Sequence, residues 1–562
     1  MGGVMIRSIV RRFPVLLFVA ASVACQGSGK ASEETVQSLR RQLESKTPPA
    51  YVSSDEQGPG LWKTARAFYE RHGHQPVWMD GSRPRDEAAE LPAAIDAARA
   101  DGLDPADYDL GPTVELLEGR SKNPFKRSAL KPEQLAEAEL RLTYTFLKLA
   151  SHVLSGRVEP ASVDAHWFGR RRTVDLGAVL DRALGGTGVA PALQGLVPQH
   201  EQYTLLKQTL EKYREIEQRG GWPTNVSTRV KLRGGVRDAG VVVLRQRLAA
   251  TGDLPAGATS RDVADAGLVE ALERFERRHG LPDDGVLDAE AVRALNVPVA
   301  ERVRQIELNL ERWRWLPESF GERYVLVNVP TFALTAVEGG KPALMMRVVA
   351  GEKENPTPIF SDQMTTVVFS PYWNIPETIA RKETIPAVLR DPDYLRKNDL
   401  ELVRGSQVVH PGSVDWTDDD PDFRIRQRPG AKNSLGQVKF MFPNQFDVYL
   451  HDTPADSLFN AAQRGFSHGC VRVERPRALA QWVLAGQAEW TPEKIDAAMR
   501  AGEERHVALE RQVPVYIVYQ TVWVDGDGAV HFAADLYGHD ARQLGLIAPA
   551  APRPPAQRVA RR

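Results

Sequence analysis

The sequence predicts a multi-domain α+β protein in which helical N-terminal regions precede a C-terminal domain built on β-strands. Length is the first indication, because 562 residues exceed what one hydrophobic core usually organises. The second is a change of hydrophobic period: apolar residues recur at helical spacing up to Trp313, whereas alternating and β-branched runs dominate from about 324 onward. The balance of 72 basic and 73 acidic residues gives no reason to expect a nucleic-acid partner.

Residues 1–25 have the pattern of an export signal. Three arginines precede an apolar run at 13–24 that is too short for a membrane span. The end of this run resembles a peptidase cleavage site, and Val23-Ala24-Cys25 resembles a bacterial lipobox, so cleavage and a lipid anchor at Cys25 both stay open. Either route places the mature chain in the periplasm or elsewhere in the cell envelope.

Two helical regions follow the signal. The polar residues 26–50 predict a flexible tether, and the periodicity of 51–225 predicts a helical scaffold domain. A compact unit is expected at 229–300, where Asp288 is placed to cap the third of three small helices. Its predicted core residues share a helical spacing and are Leu244, Leu248, Leu268, Leu272 and Phe275.

The C-terminal region, 320–540, predicts a domain with an all-β core. Its expected strands are 324–329, 333–337, 344–349, 365–369, 446–450, 513–524 and 530–532. Gly339-Gly340 supplies a hairpin turn between the second and third strands. The polar segment 375–436 interrupts the strands and predicts a capping insertion, or lid, over the sheet. Residues 541–562 contain five arginines and no acid, and predict a disordered basic tail.

The cysteine count draws attention to Cys470. If Cys25 is removed or acylated, Cys470 has no partner within the chain. An inert buried thiol and a disulfide with Cys25 are the structural alternatives. An unpaired thiol in an exported protein is also what a catalytic nucleophile would require.

A histidine is placed to activate this thiol. His451 directly follows an apolar run, and Ser467-His468-Gly469-Cys470 comes 16 residues later, so both sites can meet at one end of a sheet. A neighbouring imidazole can take the thiol proton, which makes His451 the candidate base. The group that orients His451 is either the Asp452 side chain or a backbone carbonyl nearby.

The residues around the thiol suggest two further roles. Gly469 lets a substrate carbonyl approach, and the backbone amides around His468, Gly469 and Cys470 are candidate donors to an oxyanion. Arg472 has the fork geometry to hold a substrate carboxylate, although a structural ion pair explains its presence equally well.

These motifs resemble two known families. His451, fifteen intervening residues and Ser467-His468-Gly469-Cys470-Val471-Arg472 resemble the signature of YkuD-type L,D-transpeptidases. Further stretches resemble the large YcbB-like branch: 312–317, 370–376, 435–444 and 451–454. That branch implies a helical scaffold domain, a peptidoglycan-binding module and a β-sandwich-like catalytic domain with a capping insertion, in this order. The segments 237–248, 275–281 and 284–288 resemble a peptidoglycan-binding domain; the alternative is a three-helix linker that binds nothing.

The resemblance implies a cysteine acyltransferase that needs no metal or cofactor. Cys470 would attack the third residue of a tetrapeptide stem, release D-Ala, and pass the acyl group to a second stem as a 3→3 crosslink. Peptidoglycan stem peptides and glycan are the implied partners, and carbapenems the implied covalent inhibitors. Residues expected to contact substrate, besides Arg472, are Tyr372, Trp373, Asn374, Arg428, Asn433 and Ser467.

Three alternatives stay open at this point. Water, a D-amino acid or a lipoprotein lysine can resolve the same acyl-enzyme, which would make the protein a carboxypeptidase, an exchange enzyme or an anchoring enzyme. A zinc peptidase would use His451, His468 and Cys470 as metal ligands. A non-catalytic wall-binding protein would rely on the unit at 229–300 alone.

Overall fold

The computed structural model describes residues 32–81, 83–114, 130–169, 171–232, 237–417 and 422–547. These residues form two compact units: one contains those up to 89 with those of 111–143, and the other contains 90–110 with those from 144 onward. The predicted export signal, the lipidation site at Cys25 and the tail beyond 547 lie outside the described residues. Of the helices that these ranges contain, none is long and apolar enough to cross a membrane.

The first unit begins with a helix where the sequence predicted a tether. Its elements, in chain order, are α1 (Glu33–Glu44), α2 (Gly58–Arg71), β1 (Met79–Asp80), β2 (Arg83–Pro84) and the first parts of α3 (Asp86–Ala97) and α4 (Pro132–Ser155). The tether prediction is wrong over α1, because Ser32 caps this helix and Leu39 and Leu43, four residues apart, are buried.

The helices of the second unit lead into a three-helix module. The first are α5 (Pro160–Val163), α6 (Leu176–Arg182), α7 (Val189–Gln194) and α8 (Glu201–Gln218). The module consists of α9 (Ala239–Ala250), α10 (Ala266–Arg278) and α11 (Ala289–Leu295), and α12 (Val299–Trp313) follows it. Asp238, Asp265 and Asp288 cap the three module helices, and all five predicted core residues are buried. The three-helix prediction is therefore confirmed.

The C-terminal domain is organised by one nine-stranded sheet. Its strands in chain order are β3 (Arg323–Asn328), β4 (Ala333–Glu338), β5 (Lys341–Gly351) and β6 (Ser361–Phe369), and then β11 (Val438–Met441), β12 (Leu450–His451), β13 (Gly465–Ser467), β14 (Val471–Val473) and β15 (Arg505–Val518). Their order in the sheet is β13-β5-β14-β12-β11-β6-β15-β3-β4, and β4 also pairs with β5. Because β4 pairs with β5, the sheet curls back on itself. Its inward valines and phenylalanines pack with α16 (Pro476–Val483) and α17 (Pro492–Arg500).

The insertion between β6 and β11 forms a small subdomain, which we call the cap. It contains a four-stranded sheet in the order β7-β10-β8-β9 and has its own hydrophobic core. Its elements are β7 (Trp373–Asn374), α13 (Glu377–Ile379), α14 (Ile385–Arg390), α15 (Tyr394–Lys397), β8 (Leu400–Arg404), β9 (Gln407–Val409) and β10 (Arg424–Gln427). The sequence predicted an insertion with helical stretches at 375–436 but missed its sheet.

Two strand predictions differ from the structure for local reasons. The predicted strand 446–450 is mostly a loop, because Asp447 has a positive φ and the Asn444 side chain bonds to the backbone on both sides of it. The predicted strand 513–524 is split into β15 and β16 (Val522–Val524), since Asn309 accepts a hydrogen bond from the Thr521 amide at the break. The hairpin partner of β16 is β17 (Val530–Phe532).

The predicted disordered tail begins with an ordered helix. Residues 541–547 belong to α18 (His539–Ile547). Gln543 is fully buried and accepts a hydrogen bond from Arg312, and Arg542 lies 2.8 Å from the Asp164 carboxylate. The prediction of disorder is wrong for these residues, since tertiary contacts hold a segment whose composition alone suggests flexibility.

Candidate active site

The candidate site lies on the face of the sheet opposite the hydrophobic core. β12 and β14 are parallel neighbours, and the register pairs Leu450 with Val471 and His451 with Arg472. Leu450 and Val471 are fully buried in the core, so the alternating side chains of His451, Arg472 and the preceding Cys470 point to the other face. The fold therefore brings the predicted thiol and the predicted base to neighbouring strands, on one face.

His451 is buried and held in one orientation. Its Nδ1 lies 2.5 Å from the carbonyl oxygen of Asp452, a contact in which the ring nitrogen donates. The Asp452 carboxylate is instead occupied by the amides of Gln437 and Thr453, each at 2.7 Å. Of the two orienting groups left open by the sequence, the backbone carbonyl contacts the ring, and Nε2 is left as the proton acceptor.

The surroundings keep His451 neutral. Burial, together with the charges of Arg472 and Lys439, lowers the pKa of His451 to about 3. Lys439 on β11 is the register partner of His451 on the side opposite Arg472, so the imidazole stands between two cations. A neutral imidazole near pH 7 is the form that can accept a proton from a thiol.

Cys470 is partly exposed and sits among polar groups. Its sulfur lies 3.8 Å from the Asp447 carbonyl oxygen and beside the Tyr449 hydroxyl. Burial raises the pKa of the Cys470 thiol, while hydrogen bonds from Tyr449 and the charge of Arg472 oppose that rise. The same sulfur, together with burial, raises the pKa of Tyr449.

Hydrogen bonds hold the loop that carries the thiol, both within the loop and through Thr357, which also bonds to β5. Ser467 Oγ donates to the Cys470 carbonyl and accepts from the Gly469 amide at 3.2 Å. Thr357 donates to the Gly469 carbonyl at 2.8 Å and accepts from the Gly351 amide at 2.8 Å. Gly469 has φ +114°, a conformation that L side chains rarely adopt.

This bracing changes two of the predicted roles. Ser467 is only 2% exposed and holds the loop, which favours a structural role over its predicted contact with substrate. The Gly469 amide is already used by Ser467 Oγ, which leaves the amides of His468 and Cys470 as the candidate oxyanion donors of this loop. The oxyanion hole stays a prediction for this loop, and the two neighbours of Gly469 are its better candidates.

His468 makes a contact that links this loop to the cap. Its Nε2 lies 2.9 Å from a carboxylate oxygen of Glu383, which belongs to the turn between α13 and α14. Both side chains are exposed. The cap therefore contacts His468, which lies two residues before the thiol. The His468 imidazole faces Glu383, whereas the His451 imidazole faces the carbonyl of Asp452.

The aromatic residues predicted to line the cleft join the sheet to the cap. Trp373 packs against the cap core, which favours the anchoring role over substrate contact. Arg426 lies 4.1 Å above the Tyr372 ring, and the Tyr372 amide donates to Glu504. Asn374 is exposed on β7 and is the one of the three whose side chain is free of cap packing.

Arg428 and Asn433 have structural contacts within the cap. Asn433 is 1% exposed, and its amide group donates to the carbonyls of Pro371 and Arg428, each at 3.0 Å. Arg428 is exposed and faces Asp399 at 3.5 Å. These hydrogen bonds close the return of the cap onto the sheet and favour a structural role for Asn433 over its predicted contact with substrate.

Several residues of the site were not identified from the sequence. They are Lys439, Tyr449, Thr357 and Glu383. Tyr449 carried a usable signal, since it stands two residues before His451, a spacing at which side chains of an extended chain point the same way. Thr357 and Glu383 carried none, because only the folded chain brings them to Cys470.

The arrangement is suited to attack by a thiol on a carbonyl carbon. It combines a thiol, a neutral imidazole of fixed tautomer and backbone amides on one loop. No group of three or more histidines, cysteines or carboxylates among the described residues is arranged to hold a metal ion. The alternative that uses His451, His468 and Cys470 as zinc ligands therefore has no geometric support here.

Comparison with known families assigns three segments of the chain. Residues 322–500 match the family described as "L,D-transpeptidase catalytic domain", of the YkuD type, and 237–295 match "Putative peptidoglycan binding domain". Residues 63–210 match "Scaffold domain". Both resemblances seen in the sequence are thereby confirmed for these segments, together with the mixed helical and sheet class.

Individual proteins give a consistent but partial comparison. A Haemophilus influenzae protein named "Putative L,D-transpeptidase" is 32% identical over 245 residues, which are 43% of this chain and 49% of that protein. This chain thus spans about half the length of the curated relative that it matches. Among solved structures, L,D-transpeptidase 3 from Mycobacterium tuberculosis is 14% identical, with 35% of this chain and 61% of that chain covered and a TM-score of 0.17. An L,D-transpeptidase from Stackebrandtia nassauensis is 13% identical, with 51% and 95% covered and a TM-score of 0.21.

Proposed function

We propose that this chain, whose residues 322–500 are an L,D-transpeptidase catalytic domain, is a peptidoglycan L,D-transpeptidase of the cell envelope that works through a thioester on Cys470. One observation carries the proposal. The neutral His451, held by a backbone carbonyl, ends β12, and Cys470 directly precedes the parallel neighbour β14, on the same face of the sheet. The peptidoglycan-binding domain at 237–295 supports the same substrate, since it belongs to the same compact unit.

The first half-reaction forms the acyl-enzyme. His451 Nε2 takes the thiol proton as the sulfur attacks the carbonyl of the third residue of a tetrapeptide stem. The amides of His468 and Cys470 stabilise the oxyanion, a contribution of about 3 kcal/mol for each donor. The carbon–nitrogen bond then breaks, His451 returns the proton to the leaving amine, and D-Ala departs.

The second half-reaction uses an amine from another stem. This amine attacks the thioester carbon, His451 accepts its proton, and the thiolate leaves and is reprotonated. The product is a 3→3 crosslink. Water or a D-amino acid at the same step would instead give a tripeptide or an exchanged stem, and carbapenems offer the thiol an equivalent carbonyl.

Product analysis of one reaction tests the proposal. We expect purified protein incubated with disaccharide tetrapeptide to yield crosslinked dimer by mass spectrometry, and a carbapenem to add its mass to the peptide that contains Cys470. Cys470→Ala should abolish both results. Tripeptide or exchanged stem without dimer would change the acceptor and retain the acyl-enzyme. Dimer formed by Cys470→Ala at the wild-type rate, or stoichiometric zinc with chelator-sensitive activity, would overturn the proposal.

A further inference from the structure

A row of charged side chains crosses the sheet beside the thiol. The register pairs Lys439 on β11 with His451 on β12, and His451 with Arg472 on β14. Residues that pair across strands point to the same face, so Lys439 and Arg472 flank His451 on the face that carries Cys470. Two strand spacings separate the two cations, or about 10 Å between their Cα atoms.

The row ends in apolar residues on both sides. Lys439 pairs with Val368 on β6, and Arg472 pairs with Val349 on β5. Both valines are fully buried. The cations therefore stand within the interior of the site, where an unpaired charge is costly.

Neither cation has an anionic partner among the described residues. The Arg472 guanidinium makes no hydrogen bond there, and its Nε is buried without a partner. Lys439 is partly buried, lies 5.6 Å above the Tyr449 ring and forms no ion pair. Glu504 is the carboxylate that faces Lys439, but its oxygens bond to the Tyr372 amide at 2.7 Å and to His506 at 3.1 Å.

We propose that Lys439 and Arg472 form a carboxylate-binding subsite beside Cys470, which holds the terminal carboxylate of the residue that leaves the donor peptide. This inference rests on the proposed transpeptidase function. In a donor that ends one residue beyond the bond to be cleaved, the terminal carboxylate carbon lies roughly 3–4 Å from the attacked carbonyl carbon, as bond lengths require. With its carbonyl at the sulfur, such a donor would carry its carboxylate to the face of the sheet on which both cations stand, beside His451.

The subsite would explain why the thiol acts at the end of a stem. The two cations can form charge-assisted hydrogen bonds with a carboxylate. A terminal carboxamide has no charge, and a peptide that continues has no carboxylate at this position, so neither gains these interactions. Loss of one such contact typically weakens binding roughly ten- to a hundredfold.

Binding to the inactive variant tests the subsite separately from turnover. We expect Cys470→Ala to bind a free-acid tetrapeptide stem at least roughly tenfold more tightly than the same stem with a C-terminal carboxamide, as measured by calorimetry. Addition of Lys439→Met, which keeps the side-chain length without its charge, should remove most of this preference. Lys341→Met at the exposed β4–β5 turn is the matched control and should leave the preference unchanged.

The outcomes separate the subsite from the wider function. Equal binding of acid and amide by Cys470→Ala, or a preference that survives Lys439→Met, would overturn the subsite even if the wild type forms crosslinked dimer. A preference that depends on Lys439 would support it even if the product were tripeptide instead of dimer. If Lys439→Met shifts the alkylation pH profile of Cys470 without any effect on the acid preference, the lysine tunes the thiol and the subsite is wrong.

Discussion

At the residue scale, the most informative feature is the protonation state of the thiol and the imidazole. The environment lowers the pKa of His451 to about 3 and raises that of Cys470 above its ordinary value of 9.0. Both shifts favour the uncharged pair at neutral pH. The resting site is therefore a thiol beside a base, rather than a thiolate beside an imidazolium.

This state predicts the pH dependence of alkylation. Iodoacetamide reacts with the thiolate, so the rate at Cys470 should rise with pH and reach its midpoint above 9.0. A thiolate–imidazolium pair would instead give a plateau that begins in the acid range. The measurement is adduct formation on the Cys470 peptide by mass spectrometry across the pH range, and an acid-range plateau would contradict the prediction.

Replacing Arg472 in the same experiment tests the direction in which its charge shifts the pKa of Cys470. Its positive charge lowers the pKa of Cys470, so Arg472→Gln should move the alkylation midpoint to higher pH. Arg347→Gln on β5 removes an arginine that is engaged with Glu474 instead, and should leave the midpoint in place. Equal profiles for the two variants would show that Arg472 does not act on the thiol.

At the element scale, the cap and the thiol loop meet through a polar contact. Glu383 of the cap faces His468 of the loop at 2.9 Å, and both are exposed. Exposed pairs contribute about 0–1 kcal/mol and are screened by salt. The contact is therefore weak enough to open when substrate enters and strong enough to bias the position of the loop.

Neutralising Glu383 should slow acylation by a small and salt-dependent factor. We expect Glu383→Gln to reduce the rate of carbapenem acylation roughly two- to fivefold at low salt, with the difference lost at high salt. Glu377→Gln is the matched control, because Glu377 is an exposed cap carboxylate that pairs with Arg381 instead. Identical behaviour of the two variants at both salt concentrations would refute a role for the loop contact.

At the scale of the whole molecule, the three-helix module and the catalytic sheet belong to one compact unit. Arg278 at the end of α10 is 6% exposed, bonds to the Asp253 carboxylate and donates to the Val530 carbonyl of β17 at 3.2 Å. His279 stacks on Phe532 of the same hairpin, with ring centroids 5.7 Å apart. The three-helix module is thereby fixed to the C-terminal domain by buried contacts.

Breaking this contact should destabilise the second unit as a whole. Arg278→Met leaves Asp253 buried without its cation, and removal of one partner of a buried pair costs about 3–5 kcal/mol of unfolding free energy. Arg277→Met removes only the exposed contact with Asp283 and should cost less than about 1 kcal/mol. Urea unfolding followed by tryptophan fluorescence measures both, and equal midpoints would contradict the stabilising role of the Arg278–Asp253 pair.

The sequence by itself was sufficient for features that depend on local periodicity or on residue type. Helical spacing predicted the three-helix module, β-branched runs predicted β3 to β6, and Gly339-Gly340 predicted the turn, since both glycines have positive φ. Residue type also pointed to Cys470 and His451 as candidates for the site, and their roles stay predictions. These features need only neighbours along the chain, so the sequence contains them directly.

Tertiary structure decided what distant segments contribute. Lys439, Thr357 and Glu383 reach the site through sheet register, a loop brace and the cap, and none of these is encoded in local spacing. The order of α18 and of α1 depends on burial against other elements, which composition does not reveal. The carbonyl of Asp452, rather than its side chain, orients His451 because the neighbouring amides already occupy the carboxylate. Local sequence thus set the chemical groups, and long-range packing set their partners and their charge states.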